Sequence, residues 1–288
     1  MLDYLIERKT FLLVVLAIFI TVSLVEILVS RNGRQATVSD RLRNIGAGAV
    51  FLIVGGYIAS LAIEQLTRLH VFRISRLDPF VYVGMLLLLQ DSIYYFYHRL
   101  QHSWAFLWGL HKLHHTDTDV NVTTSHRTHL LDSPIAFFVV YTPSIMLLGI
   151  HPSGLLYTSY IGLFFLYFSH SRLNIDLGPA SHVFVGPRFH RIHHSRHSAH
   201  LNKNFAQFFS FLDRVFGTFA NPMPLLQVET GVKDAQSLRE QWAPLLWPVP
   251  LPRSSRSTPD QTPARKRPPI KESRGRIRSS TGTQKLTR

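Results

Sequence analysis

Residues 98–115 read His98-Arg99-Leu100-Gln101-His102-Ser103-Trp104-Ala105-Phe106-Leu107-Trp108-Gly109-Leu110-His111-Lys112-Leu113-His114-His115, and residues 190–194 read His190-Arg191-Ile192-His193-His194. Residues at i, i+3 and i+4 share one face of a helix, so each of these sets turns its imidazoles into a single space. With 16 histidines in 288 residues, an HxxHH arrangement should arise by chance only about 0.05 times. It occurs twice here, beside an HxxxH. A lone histidine on an apolar face is usually a hydrogen-bonded core residue, whereas three sets with this spacing form a ligand array.

The surroundings of these sets read as membrane. The chain is 46% hydrophobic and 12% aromatic, more apolar than a soluble domain. Apolar stretches lie at 11–29, 44–63, 79–97, 134–150 and 154–169, the first three close to the ~20 residues that cross a bilayer core. Pro143 and the turn His151-Pro152-Ser153-Gly154 make 134–169 a helical hairpin that spans or dips into the membrane. The first two histidine sets precede the hairpin and the third follows it. Two crossings therefore return the chain to the same face, where all eight imidazoles can converge. The first stretch follows Arg8-Lys9 and ends in Val29-Ser30-Arg31 without a small-residue cleavage site, so it reads as an anchor. The expected organisation is N-terminal membrane helices over 1–78, a histidine core over 79–222, a C-terminal extension over 223–252 and a basic tail over 253–288.

Cysteine is absent, which excludes disulfides, thiolate metal sites, iron–sulfur clusters and a cysteine nucleophile. Any metal is held by nitrogen or oxygen, and eight imidazoles exceed what one ion uses, so two ions are the economical count. Imidazole alone does not choose among Zn, Cu, Ni and Fe. No glutamate occurs between Glu64 and Glu229, which rules out the Glu-x-x-His pairs of soluble di-iron bundles. The H-E-x-x-H helix of zinc peptidases is missing too. Asp91 lies two helical turns before His98 on the same face. It and Tyr95 are candidate catalytic residues, Asp91 by orienting a ligand imidazole.

The pattern Asp91-x-x-Tyr94-Tyr95-x-x-His98-Arg99-x-x-His102, Trp108-x-x-His111-x-x-His114-His115 and His190-Arg191-x-His193-His194, closed by Asn204-Phe205 and Asp213-Arg214-x-Phe216-Gly217-Thr218, resembles the fatty acid hydroxylase/sterol desaturase superfamily over roughly 80–220. The resemblance implies an all-α integral membrane fold, with four or five transmembrane or re-entrant helices under a cytosolic helical cap. It implies two iron ions per chain, replaceable by zinc on overexpression, with O2 as oxidant and a separate reductase system as electron donor. By matching position the ligands are His98, His102, His111, His114, His115, His190, His193 and His194, with His170 as a ninth. Arg127, His129, Asn174 and Asn204 are expected to support them. The reaction implied is hydroxylation or desaturation of a lipid drawn from the bilayer. Ala206 and Leu212 depart from the family's usual Gly and aromatic residue, outside the histidine sets.

Charge orients the histidine side but not the first two apolar stretches, because the link 30–43 carries Arg31, Arg34, Arg41 and Arg43 and the link 64–78 carries Arg68, Arg73 and Arg76. Of the formal +14, +9 falls in residues 253–288, a Pro/Ser/Thr/Arg/Lys segment with no aromatic residue that reads as disordered. It suits an anionic membrane surface better than nucleic acid, for which it lacks stacking residues. Arg99, Lys112, Arg127, Arg172, Arg188, Arg191 and Arg196 cluster on the histidine side, which places that side and the tail in the cytoplasm. Two readings from other classes stay open: a zinc-dependent membrane hydrolase, and a catalytically silent metal- or lipid-binding membrane protein. Metal content and oxygen dependence separate them.

Overall fold

The structure, a computed structural model, describes residues 2–29, 36–49, 57, 77–224, 228–235 and 237–246. The expectations for the 253–288 tail, most of the 64–78 link and most of the 44–63 stretch concern residues outside these. Among the described residues the fold is all-helical; the extended contacts are two isolated bridges, Phe184 with Phe209 and Ser195 with Thr230.

Among the described residues two helices are long and apolar enough to cross a membrane: α1 (Leu2–Val29), through its Thr10–Val29 portion, and α3 (Pro79–Ser103). Residues 38–49 form α2. The start of α3 follows from its first residues. Asp78 accepts the N–H groups of Phe80 and Val81 at 2.9 and 3.1 Å, and Pro79 takes the first turn, where a missing N–H costs nothing. At Trp104 the backbone turns extended (φ −102°, ψ 119°) and α4 (Ala105–His115) begins. This break folds the second histidine set back toward the first.

The expected hairpin has a long, interrupted first arm. α5 (Asp132–Ala136) runs through a π turn at Phe137–Tyr141 into α6 (Thr142–Leu148). Pro143 supplies the cause: it lacks an N–H and its ring collides with the carbonyl four residues earlier, so the helix widens just before it. Gly149, at φ 76°, ends the arm, and its carbonyl accepts the Tyr82 hydroxyl at 2.7 Å. His151, to which the sequence assigned no role, caps α7 (Pro152–His170) by accepting the N–H of Gly154 at 3.2 Å. A Cβ on Gly154 would stand 2.3 Å from Cδ1 of Tyr82, so only glycine lets α7 approach α3 here. The third histidine set lies on α8 (Pro187–His193), with His194 as its C-cap. Two short helices follow, α9 (Phe211–Val215) and α10 (Leu238–Trp242).

Buried apolar clusters sit on both sides of the histidines. Tyr95, Val185, Phe189 and Phe205 form one, and Tyr97, Leu107, Leu110 and Val140 another. A third tie is polar: buried Glu26 of α1 accepts the backbone N–H of Val122 at 2.9 Å and of Arg172 at 3.0 Å, and pairs with Arg41 at 2.8 Å. Asn44 of α2 donates to Asp117 at 3.0 Å and to Thr123 at 3.2 Å. The N-terminal helices are thus fixed to the loops that carry the site.

Candidate metal centre

The nine imidazoles named from the sequence fall into two groups. His98, His102, His111, His115 and His193 form one, and His114, His170, His190 and His194 the other; within each, the ligand atoms lie within 4.8 Å of one another. α3 brings His98 and His102, α4 brings His111, His114 and His115, the end of α7 brings His170, and α8 with its cap brings the rest. All are buried except His102, which is half-buried.

The ring orientations are set from behind. His98 Nδ1 bonds to the Phe205 carbonyl at 2.8 Å, His170 Nδ1 to the Leu166 carbonyl at 2.8 Å, and His193 Nδ1 to the Lys203 carbonyl at 3.0 Å. A carbonyl takes the proton of Nδ1, so each Nε2 presents a lone pair inward. Those Nε2 atoms meet closely: 3.1 Å for His98–His111, 3.2 Å for His111–His115, 3.0 Å for His114–His170, 3.0 Å for His170–His190 and 3.1 Å for His190–His194. Two ligands at right angles on one ion with bonds of 2.0–2.1 Å stand about 3.0 Å apart. Nε2 of His102 and of His193 is buried without a hydrogen-bond partner. Convergent, unprotonated nitrogen in two groups fits two cations of the imidazole-binding kind.

Electrostatics keeps the lone pairs free. Burial first, and then neighbouring imidazoles, push His114, His115, His190 and His194 well below the ordinary imidazole range, and burial lowers His193 to about 3. Around neutral pH these rings are uncharged, the form that binds metal.

A cavity of about 90 Å³ lies between the groups. His98 and His111 of the first group, His114, His170 and His190 of the second, and Tyr94 line it. A second cavity of about 290 Å³ opens on the far side of the first group, against His102, His115, His193 and Trp108.

Some of the residues expected around the ligands brace the histidine helices and others lie apart from them. The Asp91 carboxylate orients no imidazole: it accepts the backbone N–H groups of Gln207, Phe208 and Phe209 at 2.8, 3.1 and 2.6 Å. A carboxylate with three main-chain donors in reach takes them, and it thereby positions the loop whose Phe205 carbonyl holds His98. The Tyr95 hydroxyl bonds to Thr218 at 2.7 Å, and its ring packs on Phe216; the tyrosine lining the inner cavity is Tyr94, 5.1 Å from the His98 ring. Arg127 acts on the end of α4, donating from Nε to the Leu113 carbonyl at 3.1 Å. His129 accepts the Leu131 N–H at 3.1 Å and joins neither group. Asn174 accepts from Arg188 at 2.9 Å on an exposed loop. Asn204, at φ 58°, braces α8 by donating to the Phe189 carbonyl at 3.0 Å.

Asp132, which histidine spacing gives no means of finding, stands behind a ligand. Its Oδ2 is 3.6 Å from Nδ1 of His111, while Gln101 and Tyr97 hold its Oδ1 at 2.6 and 3.1 Å. Only the fold brings together residues so far apart in sequence.

Residues 83–218 match the family model described as Fatty acid hydroxylase. Human alkylglycerol monooxygenase is 28% identical over 210 residues, 70% of this chain and 46% of its own length. The Caenorhabditis elegans alkylglycerol monooxygenase is 34% identical over 134 residues, 46% of this chain and 26% of its own. The ornithine lipid hydroxylase of Rhizobium tropici is 30% identical over 138 residues, 48% and 41% respectively. The matched region is less than half of each of these relatives. No solved structure matches. The histidine sets, the core that holds them and the closing Asp213–Thr218 segment all lie within or at the edges of the matched region, and the comparisons support the fatty acid hydroxylase superfamily that the motifs resemble.

Proposed function

We propose that the chain is a membrane-bound oxygenase that inserts oxygen into a lipid C–H bond, or desaturates it, with two iron ions, O2 and electrons from a separate donor. The observation that carries this reading is the inner cavity, whose walls include imidazoles from both groups. A carbon seated there is within reach of both. The relatives bear the names of lipid hydroxylases and monooxygenases, which supports a lipid as substrate. The apolar helices α1 and α3 fit delivery from the bilayer, and the Arg/Lys-rich histidine side fits a cytoplasmic orientation.

His98, His102, His111, His115 and His193 would hold one ion, and His114, His170, His190 and His194 the other. When bound, the ions supply the oxidising chemistry that no side chain has. The chain's own work is positioning: the carbonyls of Phe205, Leu166 and Lys203 fix ring tautomers, and burial keeps His114, His115, His190, His193 and His194 neutral and the site dry.

Comparative lipid mass spectrometry of cells with and without the chain tests the reading. Products heavier by one oxygen or lighter by two hydrogens are expected under air and not under anoxia. Protein from iron-replete cells should carry about two metal ions. One ion or none, or turnover without oxygen, would overturn the proposal.

A further inference from the structure

The family match ends at residue 218, yet residues within 228–235 and 237–246 bond to α4, to α8 and to the segments that follow them. On the α8 side, the N–H of Gly231 donates to the His194 carbonyl at 3.3 Å and the N–H of Arg196 to the Glu229 carbonyl at 3.0 Å, beside the Ser195–Thr230 bridge. On the α4 side, Lys112 pairs with Asp234 at 2.5 Å. The Gln241 carbonyl accepts the Thr116 hydroxyl at 2.8 Å and the Arg127 guanidinium at 3.3 Å, and that guanidinium lies 4.2 Å over the Trp242 ring.

What lies between these anchors is the seam where α4 and α8 imidazoles meet. Ring centroids are 4.4 Å apart for His115–His194, 4.6 Å for His114–His194 and 4.7 Å for His115–His193. These distances depend on the mutual placement of helices of 11 and 7 residues, too short to hold a shape unaided. Gly231 adopts φ 104°, and a Cβ there would come within 3.2 Å of Thr118, so the contact with His194 calls for glycine. Gly231, Val232 and Lys233 also wall the 290 Å³ cavity that opens onto His102, His115 and His193.

Resting on the reading that the two groups hold metal ions, we propose that residues 228–235 and 237–246 act as a strap that keeps the α4 and α8 imidazoles in register, with Gly231, Asp234 and Trp242 as positioning residues for metal retention. A loosened strap separates the cross-helix pairs and opens the outer cavity to solvent, so it speeds loss of metal while leaving the membrane helices in place.

The test uses the full chain in detergent loaded with cobalt(II), whose visible absorption reports ligation, and follows release to EDTA. The double variant Asp234→Ala/Trp242→Ala should release cobalt about 10–100-fold faster than wild type, the range seen when outer supports of ligands are lost. Trp242→Phe, which keeps a ring under Arg127, should restore most of the retention in the Asp234→Ala background. Helical circular dichroism and elution volume should not change. Release within about twofold of wild type overturns the strap. If the double variant does not fold, Trp242→Leu, which keeps apolar contact and loses the stack, decides on the same criterion. A wild-type chain that takes up no cobalt overturns the metal-centre reading, and the strap with it.

Discussion

At the scale of single residues, the histidine pattern was legible because ligand spacing is a local signal, whereas the groups that brace the ligands were not. Asp91 was visible as a buried acid near His98, but its partners are main-chain N–H groups more than a hundred residues away, which no spacing announces. Asp132 gave no signal at all. Asp132→Asn should lower metal affinity about 10–100-fold, because its carboxylate stands behind His111 and lines the inner cavity; equal affinity in a cobalt titration would show that it merely ties α5 to α3. Replacing His98, His102, His111, His115, His190 or His194 with Ala should abolish oxygen-dependent lipid turnover while the chain still inserts. His197→Ala and His200→Ala should keep most activity. His197 is engaged with the Ala199 N–H at 3.3 Å and His200 with the Ser195 hydroxyl at 2.9 Å, away from both groups. Retained turnover in two or more of the six would sink the ligand assignment.

At the scale of elements, hydrophobic runs gave α1, α3 and the hairpin, since apolar length is a strong signal. The break at Trp104 was not readable: nothing near it is a proline or glycine, and tertiary placement of the second histidine set decides it. The role of α1 was also hidden. Its Glu26 reads as an isolated charge in an apolar run, and only the fold shows it meeting two main-chain donors and Arg41. Glu26→Leu leaves those donors and that cation without their acceptor, at a cost of about 3–5 kcal/mol. Unfolding of the detergent-solubilised chain should reveal it as a lower transition midpoint. An unchanged midpoint would mean that α1 is held by lipid and apolar contact alone.

At the scale of the whole molecule, charge and composition divided the chain into an apolar body and a basic tail, and the strap is what that division concealed. Residues 223–252 read as an extension because they carry no histidine, yet 228–235 and 237–246 bond to the segments that carry the site. Cutting after Leu251 should therefore leave metal content and turnover intact and weaken binding to anionic vesicles, since the strap stays and the +9 tail goes. Cutting after Pro224 should cost the metal as well. Equal vesicle binding by the Leu251 truncation would show that the tail takes no part in membrane contact. The π turn at Phe137–Tyr141 carries a last implication at this scale. Such a turn accommodates one residue more than an α-helix does, so it absorbs an extra residue while the faces on either side of it stay in phase. Deleting one of its residues would let the segment rewind as α-helix with Asp132 still toward His111, whereas deleting one residue of α6 would swing everything before it by about 100°. Asp132 would then face away from His111. The length of this arm outside the π turn, counted in residues, is thus part of the definition of the site as much as any side chain in it.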